Sequence, residues 1–165
     1  MTLSEMLTIM VLFHVSPCKV FKYFYVFYLT HLHNKDFPKL LSYNRFVQLM
    51  PRLFVPLCVL LQSLFGEETG IYIADSTALP VCHNKRINRN RVFKGLAARG
   101  KTTMGWFYGL KLHLVINHKG SIVAVKITPA NVDERTLLDE MTQNLKGSLF
   151  ADKGFISQDL FKKLF

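Results

Sequence analysis

Ile71-Tyr72-Ile73-Ala74-Asp75 is a short apolar run closed by an aspartate, and Ser148-Leu149-Phe150-Ala151-Asp152 repeats the pattern. Apolar runs of this length, bounded by turn signals, predict buried strands. Between them, Trp106 to Ile116 alternates imperfectly and predicts a long strand. Asn117-His118-Lys119-Gly120 reads as a turn, and Ser121 to Thr128 as the hairpin partner of that strand. Thr128-Pro129-Ala130-Asn131 breaks it, and Asp133 caps a helix predicted from Glu134 to about Leu145. Lys146-Gly147 ends that helix. Residues 83–105, basic and rich in Asn and Gly, predict loop. Ser157 caps a last predicted helix whose apolar stripe is Leu160, Phe161, Leu164 and Phe165. The expected class is α/β, with a mixed sheet and flanking helices over residues 69–165.

Residues 1–68 read differently, as a helical region. Thr2 or Ser4 caps an apolar helix ending near Val15. Ser16-Pro17 predicts a second start, a hydroxyl N-cap followed by proline at the first helical position. That helix should carry Phe21, Phe24, Tyr25 and Tyr28 to about His33, with its aromatic rings in the core. Ser42 caps a third helix containing Phe46, Val47 and Met50. Pro51 and Pro56 interrupt or kink a fourth apolar segment reaching Phe65.

The 165 residues carry 21 Lys+Arg against 11 Asp+Glu, a net charge of +10, and half of them are hydrophobic. That apolar content excludes intrinsic disorder. The charge is localised. Between Asp75 and Asp133 no acidic residue occurs, while Lys85, Arg86, Arg89, Arg91, Lys94, Arg99, Lys101, Lys111, Lys119 and Lys126 do. Those ten account for the whole net charge. A single-sign block in a folded chain points to a phosphate-facing surface, or to a solvated loop. The charge-free stretches Met6–Cys18 and Leu53–Gly66 fall short of the roughly 18–20 residues a bilayer helix needs, so no membrane partner is expected. The first charge is Glu5, which does not suit a signal peptide. Cys18, Cys58 and Cys82 form no CxxC pair. A cytoplasmic chain with reduced thiols is expected.

Asp75 and Asp152 share a setting, each after an apolar strand and before a turn. In α/β sheets, neighbouring strand ends carry functional groups into one crevice. Two carboxylates 4 Å apart repel by roughly 1 kcal/mol in water and about 4 kcal/mol at an effective dielectric of 20. A hard divalent cation, Mg²⁺ or Mn²⁺, removes that cost and supports phosphodiester chemistry. Alternatively, both aspartates cap turns.

Four segments, in this order, carry a resemblance. They are Ile71–Lys85 (IYIADSTALPVCHNK), Lys101–His113 (KTTMGWFYGLKLH), Thr128–Asp133 (TPANVD) and Leu149–Ile156 (LFADKGFI). Together they resemble the DDE transposases of bacterial insertion sequences, and Ser42–Val47 (SYNRFV) ahead of Leu49-Met50-Pro51 resembles that family's helical N-terminal part. The resemblance implies a ribonuclease-H-like catalytic domain that cleaves and transfers DNA strands with Mg²⁺. Element ends, target DNA and further copies of the chain in a homo-oligomer would be its partners. It matches Asp75 to the first acidic residue, at the end of the first strand, and Asp152 to the second. The family's third, a glutamate on a later helix, has no counterpart before Phe165. The chain thus reads as C-terminally truncated, and Asp133, Glu134, Asp139, Glu140 and Asp159 are the carboxylates available to substitute.

Lys111 and His113 lie two apart on a predicted strand and share a face, which aims them at a phosphate or at solvent. Trp106 stacks on an unpaired base or, the reading favoured by its type, packs in the core. Lys85, Arg86, Arg89, Arg91, Lys94, Arg99 and Lys101 suit phosphate contact rather than base reading, because nothing there has the form of a recognition helix. His31 and His33, at i and i+2, do not share a helix face. Cys82-His83 lacks a second ligand pair. A DNA-strand-transfer enzyme and a non-catalytic DNA-binding remnant both fit this pattern.

Overall fold

A computed structural model describes residues 1–152. The chain divides into two compact units, Met1–Leu64 and Phe65–Phe165.

The first unit is helical. Thr2 caps α1 (Leu3–Val15) through a reciprocal capping box, its side chain accepting from the Glu5 N–H while the Glu5 carboxylate accepts from the Thr2 N–H. That backbone hydrogen bond holds the Glu5 carboxyl below its ordinary value. Ser16 does not start the next helix. It closes α1, its N–H donating to the carbonyls of Leu12 and Phe13. The Ser16 hydroxyl donates to the Phe13 carbonyl and accepts the Cys18 N–H at 3.3 Å in a local turn, and the next helix begins only at Phe21. The following helical run comprises α2 (Phe21–Tyr23), a π-helical stretch Phe24–Leu29 and α3 (Thr30–Leu32), entered from Val20 without a side-chain cap. Phe24 and Tyr25 are buried with Met6, Ile9, Leu29, Phe37, Phe46 and Leu53. The Tyr25 hydroxyl donates to the Leu41 carbonyl, and burial pushes its pKa up to about 12. Ser42 caps α4 (Tyr43–Leu49) as its sequence predicts.

A 3-10 turn at Met50–Leu53 and α5 (Phe54–Ser63) continue α4. The whole run, Tyr43–Ser63, has 21 residues and a mean hydropathy of 1.4, long and apolar enough to cross a bilayer by length and composition. Counting charge-free residues missed it because Arg52 divides the run. Phe46 and Leu53 on this run belong to the unit's core.

The second unit is a mixed five-stranded sheet with one described helix. Strand β1 (Ile71–Cys82) pairs antiparallel with β3 (Gly105–Asn117), and β3 with β4 (Ile122–Pro129) and β2 (Ala98–Thr102). Strand β5 (Ser148–Ala151) pairs parallel with β1 on its other edge. Two expectations change here. Strand β1 does not stop at Asp75 but runs on to Cys82, because Ser76 to Cys82 find partners along the full length of β3. Part of the expected loop 83–105 is ordered as a 3-10 turn, Asn84–Arg89, and as β2. Gly100 in β2 packs so closely on Ala130 that a Cβ would lie 2.4 Å from the Ala130 carbonyl oxygen. The last predicted helix, at Ser157, lies outside the described residues.

Helix α6 (Glu134–Thr142), capped by Asp133, covers one face of the sheet. Tyr72, Ala74, Val115 and Leu138 form its core, with Met141, Leu149 and Ala151 against them. The opposite face keeps Ile71, Ile73, Ile127 and Phe150 about half exposed. Polar groups sit under the first turn of α6. Glu134 Oε1 accepts from Lys111 Nζ at 2.7 Å and from Ser76 Oγ at 3.0 Å. His113 is 3% exposed, its Nε2 2.9 Å from Thr128 Oγ1, and its buried Nδ1 has no hydrogen-bond partner.

Two predictions follow from this packing. Burial holds His113 below its ordinary value of 6.5, with Lys111 and Lys126 acting in the same direction and Glu134 against them. The unfolded chain therefore takes up a proton that the folded chain refuses as the pH falls through about 6.5. Chemical denaturation should give full stability above that pH, loss below it, and a flatter profile for His113→Gln. The second concerns Gly147, which has φ +131° and whose Cβ would meet the Gly70 carbonyl oxygen at 2.0 Å. Gly147→Ala should destabilise the fold by about 1–3 kcal/mol in the same assay; a neutral result would show that this turn yields without cost.

Candidate catalytic site and nucleic-acid interface

The β1–β5 ladder pairs Ile71 with Ser148, Tyr72 with Leu149, Ile73 with Phe150 and Ala74 with Ala151. Asp75 and Asp152 are the next residues on the two chains. Neighbouring backbones in a sheet run about 4.8 Å apart, and side chains alternate faces. Tyr72 and Ala74 point under α6, so Asp75 follows Ile71 and Ile73 onto the open face. Ser148 and Phe150 set the same alternation on β5, which carries Asp152 to that side. Both aspartates are exposed. Asp75 Oδ1 accepts the Ser76 N–H at 2.7 Å, which fixes the rotation of its carboxylate.

Asp75 lies inside a strand rather than at its end, and Asp152 directly follows Ala151, the register partner of Ala74. A pair of hard oxygen donors on adjacent strands fits Mg²⁺ or Mn²⁺ in donor type. Among the described residues no group of three His, Cys, Asp or Glu side chains gathers around a common point. Of the internal carboxylates, Asp133 caps α6 and Glu134 is engaged by Lys111 and Ser76. Glu140 pairs with Lys126 at 2.5 Å. Asp159 lies outside the described residues.

The basic residues sort into two groups. Lys85, Arg86 and Arg89 on the 3-10 turn, Arg91 and Lys94 beyond it, and Arg99 and Lys101 on β2 are all exposed. Lys111 and His113 do share a face, but it is the one that α6 covers. Lys111 is bound to Glu134 and His113 is buried, so the face that was to meet a phosphate is the inner one. Alternation gave the common face but not which side the helix would take.

Trp106 departs furthest from its core expectation. It is 63% exposed, with Lys101 Nζ 5.9 Å from its ring centroid. It lies near the start of β3, opposite Lys101, on the sheet face that α6 does not cover, which explains this. His33 pairs with Asp36 at 2.9 Å, beside a helix end, and Cys82 is a free thiol. The Ser76–Glu134–Lys111 network was missed by sequence reading, because its members are 58 and 23 residues apart.

Residues 65–165 match the family model of the transposase DDE domain. No curated protein and no solved structure shows a significant match to the chain. Spanning more than half of the chain and every strand of its sheet, the family match makes this protein a member of the transposase DDE-domain family, whose activity is DNA transposition.

Proposed function

We propose that Asp75 and Asp152 are the catalytic carboxylates of a metal-dependent DNA strand cleavage and transfer, and that the exposed basic segment holds the DNA. The observation that carries this reading is the register of β1 and β5, which makes the two aspartates neighbours on the open face. Asp75 and Asp152 would hold Mg²⁺ or Mn²⁺ through carboxylate oxygens. Such an ion lowers the pKa of bound water and stabilises the leaving oxygen at a phosphodiester. The protein's own part is positional. The Ser76 N–H orients Asp75, and Lys85, Arg86, Arg89, Arg91, Lys94, Arg99 and Lys101 neutralise phosphates without reading bases. The free thiols of Cys18, Cys58 and Cys82 suit a reducing, cytoplasmic setting.

A second reading is a protein that binds DNA without cutting it. It is favoured by the carboxylate count, because among the described residues only two carboxylates meet at the site. On that reading the isolated chain shows little or no strand transfer.

Two measurements test these readings. Mn²⁺ titration, read by the paramagnetic spectrum of the free ion, should show binding that is lost in Asp75→Ala and in Asp152→Ala, with DNA affinity kept. Cleavage of labelled DNA in Mg²⁺ that disappears in both variants establishes the enzyme. DNA binding with no cleavage in the parent chain leaves the binding reading. A salt titration measures the second contact set. If about five side chains neutralise phosphates, log K against log salt should fall with a slope near −4.5. Replacing Arg86, Arg89 and Arg91 by Ala should bring the slope to about −1.8, and a parent slope near zero would sink the phosphate assignment.

A further inference from the structure

Trp106 is the protein's single tryptophan, and 63% of it faces solvent on a sheet strand. A large aromatic ring left outside the core of a folded unit calls for a partner. Its surroundings state what kind. Lys101, the cross-strand partner of Trp106, places its ammonium over the ring. The side-chain amide of Asn84 donates to the Trp106 carbonyl at 2.8 Å, which fastens the 3-10 turn bearing Lys85, Arg86 and Arg89 to the same point of β3. Exposed cations therefore attach on two sides of the indole, and the sequence from Ser76 to Val132 contains no acidic residue. An acidic protein partner would also use the ring, but the long acid-free basic segment matches a polyphosphate strand. A nucleic-acid strand uses both, phosphates on the cations and a base on the ring.

Position refines the inference. Trp106 and Leu114 are eight residues apart on β3, an even separation that puts them on one face, and Leu114 is the register partner of Asp75. At about 3.3 Å per residue the ring stands about 26 Å along the strand from the aspartates. The ring is thus too far away to touch a scissile phosphate.

We propose that Trp106, backed by Lys101, is a stacking platform for an unpaired DNA base held about 26 Å from the carboxylates. The proposal rests on the DNA-binding reading above. A base enters against the exposed indole while Lys85, Arg86 and Arg89 take the flanking phosphates. Duplex DNA, whose bases are already stacked, meets the cations alone.

The single tryptophan makes the test direct, because emission excited at the red edge of the absorption band, where the six tyrosines do not absorb, reports Trp106 alone. A single-stranded oligonucleotide and a blunt duplex of equal length are titrated separately at one salt concentration. The single strand should quench the emission saturably. Trp106→Ala, read by anisotropy of a labelled strand, should weaken single-strand binding about 5- to 100-fold and leave duplex binding within about twofold, with Trp106→Phe retaining most of the affinity. Far-UV circular dichroism confirms that the variants keep their secondary structure. Single-strand affinity unchanged in Trp106→Ala, or equal loss on both DNAs, overturns the stacking site while DNA binding stands. If the folded parent chain binds neither DNA, the DNA-binding reading itself falls.

Discussion

A slip of one residue between β1 and β5 would turn Asp152 to the opposite face of the sheet from Asp75, because side chains alternate with a period of two. The pairing that prevents the slip begins at two glycines. The Ser148 N–H donates to the Gly70 carbonyl at 2.8 Å, and Gly147, at φ +131°, lets the backbones of residues 70 and 147 approach where no side chain would fit. Burial then fixes the same register. Tyr72 with Leu149 and Ala74 with Ala151 go under α6, which sends the alternate residues outward. The placement of the aspartates thus follows from hydrophobic pairs one and three residues upstream.

The other face has its own polar anchor. Glu134, in the first turn of α6, receives both Lys111 from β3 and Ser76 from β1. An ion pair so lightly exposed is costly to leave half-made, since the remaining charge would be stranded against the sheet. Ser76 is also the residue whose N–H orients Asp75. The helix on the covered face is thereby tied to the strand position that carries a functional group on the open one. His113 lies beside this anchor, neutral because it is buried, and adds no charge to the cluster.

What could be read from the residues alone follows how local each signal is. Thr2, Ser42 and Asp133 each cap a helix because a cap involves groups two or three residues away. Ser16 misled because its hydroxyl, donating to the Phe13 carbonyl and accepting the Cys18 N–H, closes α1 with a local turn rather than opening the next helix. The hairpin β3–β4 was legible from its turn, with Gly120 at φ +80°. Strand β2 was not, since Ala98–Thr102 has no apolar pattern of its own and becomes a strand by pairing with Gly105–Gly109. The two aspartates could be named from their matching contexts. Their adjacency depended on a parallel pairing across some seventy-five residues, which no local signal specifies. For Lys111 and His113 the shared face was legible, but which side α6 would cover depended on long-range packing.

The two faces of the sheet divide the work of folding from the work of contact. On the covered face, apolar side chains, a part-buried ion pair and a neutral histidine pack beneath one helix. The open face carries Asp75 and Asp152 at one end of the β1–β3 pairing and Trp106 with Lys101 toward the other. Because β3 runs through both, the span between carboxylates and indole is set by a hydrogen-bonded strand rather than by a loop. On the proposed reading, a rigid span of that kind would make distance along a bound DNA strand a property of the fold, fixing together where a base is gripped and where a phosphate meets the carboxylates.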